Sequence, residues 1–153
     1  MKFKILILLS LIIPTTFGIA YGHTVDSVGE YRVEIGWMNE PVVSGETNAI
    51  EFYVSPLKPG VELKDQKFEN GISDLKKAIK IQLVYKENNI TLPLSPDHNI
   101  PGKYYAFVNP TVSGFYQANV IGTIDDTPIS LSMHPPKVDE RSDIEFPEPA
   151  DLT

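Results

Sequence analysis

From Tyr31 onward, apolar and polar positions alternate. Tyr31, Val33, Ile35 and Trp37 share one face of the chain, and Arg32, Glu34 and Gly36 share the other. A period of two marks a strand with one buried face. The alternation returns at Ile50, Phe52 and Val54, and at Ile79, Ile81, Leu83 and Tyr85. It returns again at Ile90, Leu92 and Leu94, at Tyr104, Ala106 and Val108, at Tyr116, Ala118 and Val120, and at Ile129, Leu131 and Met133. Asn88-Asn89 and Asp125-Asp126 are predicted tight turns. About seven short strands punctuated by Gly, Pro and Asn predict an all-β fold, an antiparallel β-sandwich, with a closed barrel as the alternative. Three strands open on the same phrase: Gly29-Glu30-Tyr31, Gly102-Lys103-Tyr104 and Gly114-Phe115-Tyr116. Tyr116 is either a tyrosine corner, its hydroxyl tied to the preceding loop, or an ordinary core tyrosine.

Two segments break the strand rhythm. Residues 55–77 form a long connection whose end, Ile72 to Ile79, predicts one or two helical turns with Ser73 as a weak cap. Lys58 to Lys86 holds seven lysines against four acids. Residues 135–153 hold four prolines, six acids and two basic groups with little periodicity, which predicts a disordered acidic tail.

The first 22 residues read as an address. Lys2 and Lys4 form a positive start, Ile5 to Ile13 is apolar apart from Ser10, and Ala20 and Gly22 supply small residues for a cleavage site. This is the layout of a secretory signal peptide. The apolar run falls short of the roughly 20 residues that span a bilayer. The predicted organisation is a signal peptide over 1–22, a β-sandwich over 23–134 and a tail over 135–153. The mature chain is expected to be extracytoplasmic: periplasmic, surface-bound or secreted. A rival cut after Ala20 would start it at Tyr21. Losing Lys2 and Lys4 takes the net charge from −7 to −9.

Composition removes whole classes of function. Zero cysteines exclude disulfides, thiol catalysis, iron–sulfur clusters and thiolate zinc sites. Thirteen prolines in 153 residues argue against a helix bundle, and the acidic balance argues against a nucleic-acid footprint. No Gly-x-Ser-x-Gly elbow, phosphate loop or His-Glu-x-x-His helix is present, so no enzyme is expected. The histidines are His23, His98 and His134. Cleavage after Gly22 would make His23 the N-terminus, where amine and imidazole of one residue chelate a metal together. A second histidine would complete a nitrogen set suited to Cu(II). Counting strands up and down puts His98 at the same end as His23, with Asp97 as an oxygen ligand or orienting partner, and His134 at the far end. A fold-back of residues 23–29 would instead bring His23 toward His134. Asn89-Ile90-Thr91 is an N-glycosylation sequon. Trp37, at the end of its strand, reads as core.

The stretch Gly29 to Pro41, with Trp37-Met38-Asn39-Glu40-Pro41 at its end, and the stretch Gly114 to Ile124 resemble a group of uncharacterised secreted prokaryotic proteins. Through them the chain resembles the immunoglobulin-like sandwiches of the YtkA-like and CopC-like copper-resistance families. The likeness implies an immunoglobulin-like sandwich over residues 23–134 that handles copper. The CopC pattern pairs an N-terminal histidine with an aspartate and a histidine two residues apart. His23 matches the first, whereas Asp97 and His98 are adjacent and no Asp-x-His follows. The resulting expectation is a non-enzymatic binding module holding copper (Cu2+) through the His23 terminus and one further histidine, His98 or His134, with Asp97 as an oxygen ligand or orienting partner of His98. Its partner would be a copper-dependent enzyme or another envelope protein. The alternative is an accessory domain that docks through the basic 58–86 segment or the acidic tail.

Overall fold

The computed structural model describes residues 22–147. The predicted signal peptide, apart from Gly22, and residues 148–153 lie outside the described residues. Among the described residues nine strands form two antiparallel sheets. In chain order they are β1 (Thr24–Val28), β2 (Tyr31–Trp37), β3 (Asn48–Pro56), β4 (Ile79–Tyr85), β5 (Asn88–Leu92), β6 (Ser95–Pro96), β7 (Lys103–Val108), β8 (Gln117–Ile124) and β9 (Thr127–Met133). One sheet has the order β1-β2-β3-β7-β6 and the other β5-β4-β8-β9. They face each other as a sandwich consistent with the immunoglobulin-like arrangement. Among the described residues no helix is long and apolar enough to cross a membrane.

The alternating apolar positions are the inner faces. Val33, Ile35, Trp37, Ile50, Phe52, Val54 and Tyr104 from one sheet meet Ile79, Ile81, Leu83, Ala118, Val120, Ile129 and Met133 from the other. Trp37 is fully buried, donates Nε1–H to the Pro136 carbonyl at 2.9 Å and packs edge-to-face on Tyr116. Tyr116 donates its hydroxyl to the Val112 carbonyl at 2.8 Å, four residues upstream, which is the tyrosine-corner geometry.

The structure adds two strands to the predicted set. β1 and β6 are short edge strands whose sequences, Thr-Val-Asp-Ser-Val and Ser-Pro, carry little alternation. The predicted Asn88-Asn89 turn falls two residues late: Tyr85 pairs with Asn88, so Lys86 and Glu87 make the turn, with Lys86 at φ 52°. The Asp125-Asp126 turn lies where expected, between Ile124 and Thr127. The predicted helical turns at 72–79 reduce to one turn, closed by Ile79 N–H on the Leu75 carbonyl.

The tail requires a larger correction. Residues 135–140 do not trail away from the sandwich. Val138 is fully buried and its backbone exchanges hydrogen bonds with Gly114 at 2.8 and 2.9 Å. Asp139 N–H reaches the Val42 carbonyl, and Ser44 N–H the Asp139 carbonyl. Composition predicts disorder because apolar residues are few. One valine and a row of backbone hydrogen bonds to existing edges suffice to dock this segment.

The long 57–77 connection folds over the outer face of the five-stranded sheet. Phe68 packs edge-to-face on Tyr53 at 5.2 Å, and Ile72 N–H donates to the Val54 carbonyl. The Gln66 side chain is buried and ties the loop's own backbone at Lys58 and Val61. Gly71 permits the docking: a Cβ there would lie 1.9 Å from the Pro101 carbonyl oxygen.

Deleting residues 136–153 is expected to lower stability by about 2 kcal/mol or more, since Val138 alone removes a fully buried aliphatic side chain. Urea unfolding checks this; an unchanged midpoint would mean that the strap contributes nothing.

Candidate functional site

The sequence singles out His23, and the structure places it on an unexpected neighbour set. β1 pairs antiparallel with β2 in a register that puts Thr24 opposite Ile35. His23 therefore stands opposite Gly36, on the outer face. A Cβ on residue 36 would lie 2.1 Å from His23 Cδ2, so the glycine vacates the space that the imidazole fills. Glu34 is the next outward residue on β2, and Glu51 pairs with Gly36 from β3. His23 Nδ1 is 2.6 Å from Glu34 Oε1, and Nε2 is 3.6 Å from Glu51 Oε2.

Charge compensation continues across the sheet. Arg32 Nη1 lies 2.6 Å from Glu34 Oε2, off the N–H direction of a hydrogen bond. Glu51 Oε1 is 2.7 Å from Lys103 Nζ, and Tyr53 donates its hydroxyl to Glu51 Oε2 at 2.9 Å. Lys103 lies over the rings of Tyr53 and Tyr105 at 5.1 and 5.0 Å. Tyr105 donates to Asp97 Oδ2 at 2.7 Å. Arg32, Glu51 and Ser55 are buried although they face outward.

These contacts move the titrations. The hydrogen bond to Glu34 raises His23 above its ordinary 6.5; burial opposes the rise, and the charges of Glu34, Glu51 and Glu40 add to it. Burial pushes Glu34 up, but the hydrogen bond with His23 and the adjacent Arg32 and His23 charges outweigh it and leave the carboxyl lowered. Burial pushes the Tyr53 phenol up to about 12. Burial pulls the Lys103 ammonium down, and bonding to Glu51, Tyr53 and Tyr105 more than reverses this, so it stays raised. Burial also raises Glu40, whose Oε1 has no hydrogen-bond partner among the described residues.

The other predicted site residues sit elsewhere. His98 is exposed in the turn after β6, at the edge of the sheet opposite β1. Four strand spacings of about 4.8 Å separate those edges, roughly 19 Å. The expected meeting of His23 with His98 and Asp97 therefore does not occur. The cause is β1: an extra strand before β2 reverses the up-and-down count and carries His23 to the other end of the sandwich. Asp97 is committed locally, accepting Asn99 and Ile100 N–H groups at 2.8 and 2.9 Å as well as Tyr105. The fold-back alternative describes the chain better. The Thr24 hydroxyl donates to the His134 carbonyl at 2.8 Å, so the His134 backbone lies beside β1, with its side chain exposed. Among the described residues no group of three or more His, Asp or Glu side chains is disposed to hold a metal ion.

Glu34, Glu51 and Lys103 are absent from the sequence-derived site. The available signal was the outward parity of Glu34 and Gly36 on the first alternating strand; nothing local paired it with residue 23. Compared with protein-family models, with curated proteins and with solved structures, the chain has no match in any of the three.

Two predictions follow the geometry. A histidine whose pKa is raised by folding adds stability below its unfolded value of 6.5, and that stability fades as pH rises through the folded value. His23→Gln should thus cost on the order of 1 kcal/mol at pH 5.5 and nearly nothing at pH 9, the part-exposed ring keeping the cost low. Urea midpoints at both pH values measure it; equal losses at both would refute the charged pairing. Separately, Gly36→Ala should swing the imidazole off Glu34 and drop the His23 pKa toward 6.5, read by NMR titration. A pKa that stays raised would show that the ring does not occupy this space.

Proposed function

We propose that this protein is an extracytoplasmic, non-enzymatic binding module that takes Cu(II) at His23 after its leader is removed. The reading is supported above all by the partly exposed His23 imidazole held between two carboxylates on the outer sheet face. Removal of the leader after Gly22 would free an amine on the same residue. The amine and Nδ1 then form a chelate, and Glu34, already 2.6 Å from Nδ1, supplies an oxygen donor. Glu51 lies by the other ring nitrogen, Nε2, and adds negative charge beside the site. Nitrogen and oxygen donors without thiolate suit Cu(II) rather than Cu(I). The resemblance to YtkA-like and CopC-like sandwiches motivates this assignment, with Glu34 in the oxygen-donor role first expected of Asp97.

A second reading, docking on another envelope protein, draws support from exposed rings. Phe115 is 77% exposed and Phe146 98%. The charged segments are less free than their composition suggests, since Lys58 pairs with Glu69 at 2.5 Å and the start of the tail is docked.

N-terminal sequencing of the mature protein should return His23. Purified protein starting at His23 should bind one Cu(II) by calorimetry, and retaining Gly22 should weaken binding at least about tenfold, as should His23→Ala. Equal affinity in all three forms, or a mature start other than His23, would overturn the copper reading.

A further inference from the structure

β5 is an edge strand, paired only to β4 within its sheet. Its residues Asn88 to Thr91 are exposed. Here lies the sequence Asn89-Ile90-Thr91, in extended conformation with one backbone edge open. Asn109-Pro110-Thr111 has the same outline but carries proline in the middle, which bars it. Asn89 and Thr91 pair with Val84 and Gln82, both outward positions of β4, so the amide and the hydroxyl share the outer face of the sheet.

The amide is already oriented. A chain of side-chain hydrogen bonds runs across three strands. Gln117 Nε2 donates to Asn119 Oδ1 at 2.7 Å, Asn119 Nδ2 to Gln82 Oε1 at 3.0 Å, and Gln82 Nε2 to Asn89 Oδ1 at 3.5 Å. The chain ends at the sheet edge on the Asn89 oxygen. Asn89 Nδ2 has no hydrogen-bond partner among the described residues. The acceptor nitrogen is thus free and exposed, and the sequon hydroxyl lies two residues away on the same face.

We infer that Asn89 is an N-linked glycosylation site. The inference rests on the extracytoplasmic placement proposed above. The donor is a lipid-linked phospho- or diphospho-glycan carried by a membrane transferase. The bond from the sugar C1 to the phosphate oxygen breaks, and the phosphate leaves with its electron pair. A bond from C1 to Asn89 Nδ2 forms, and the displaced Nδ2 proton passes to a base of the transferase. The attached glycan stands beside the open edge of β5. It also flanks a groove of about 320 Å³ walled by Tyr85, Ile90, Val108, Val112 and Tyr116. Ile90 and Val112 are 53% and 46% exposed there. A hydrophilic cover at this position blocks strand addition to the edge.

The test uses the full-length protein recovered from its native cells after separation into cytoplasmic and extracytoplasmic fractions. Extracytoplasmic protein should show an intact mass above that of its polypeptide, with the excess on the peptide containing Asn89. Asn89→Gln and Thr91→Ala should lose the excess mass, while Thr91→Ser and Asn88→Gln keep it. Extracytoplasmic protein with unmodified Asn89, or excess mass that survives Thr91→Ala, overturns the site and leaves the placement standing. Recovery of the protein only in the cytoplasm, unmodified, overturns both.

Discussion

On the outer face of the five-stranded sheet the protein's own 57–77 segment packs over Tyr53, and polar residues of that face are withdrawn from water. Outward positions of an antiparallel sheet ordinarily meet water and need no partners. Here Arg32, Glu51 and Ser55 are buried; Arg32 and Glu51 each face an opposite charge, whereas Ser55 Oγ and Arg32 Nε have no hydrogen-bond partner among the described residues. The result is a continuous series from one sheet edge to the other: Arg32 and His23 on Glu34, His23 and Lys103 on Glu51, and Tyr105 on Asp97. Removing one member would strand the others in a low-dielectric setting, where an unpaired charge costs more than the pair contributes.

This series explains why His23 is the chemically interesting histidine. An imidazole between two carboxylates holds its proton more firmly than a free one. A cation bound by the same groups would replace that proton and meet the same negative field. The proposed copper site and the raised His23 pKa are therefore two uses of one arrangement. Asp97, beside His98, is occupied by the turn amides and by Tyr105.

Legibility differed between elements for physical reasons. Strands with one face in the core wrote themselves as alternation, as in Tyr31 to Trp37 and Ile79 to Tyr85. The short edge strands β1 and β6 did not, because their residues face the core only in part. Overlooking β1 reversed the up-and-down count and put His98 at the same end of the sandwich as His23. The tail was misread for a related reason. Its composition lacks a core of its own, but Val138 enters a core supplied by others, and its backbone groups find partners on Val42, Ser44 and Gly114. The tyrosine corner at Tyr116 was legible because it closes within five residues of sequence.

The sequence by itself determined the strand period, the division into apolar and polar faces, the absence of thiol chemistry and the prominence of His23. These are local properties: a two-residue repeat, a residue count, a motif beside a small-residue site. Only the tertiary structure decided which strands became neighbours, that a loop would pack on Tyr53 of the outer face, and that Glu34 and Glu51 would flank the imidazole. Those contacts join residues 11 and 28 positions apart through strand register. Register is fixed by packing of the whole sandwich rather than by any segment alone.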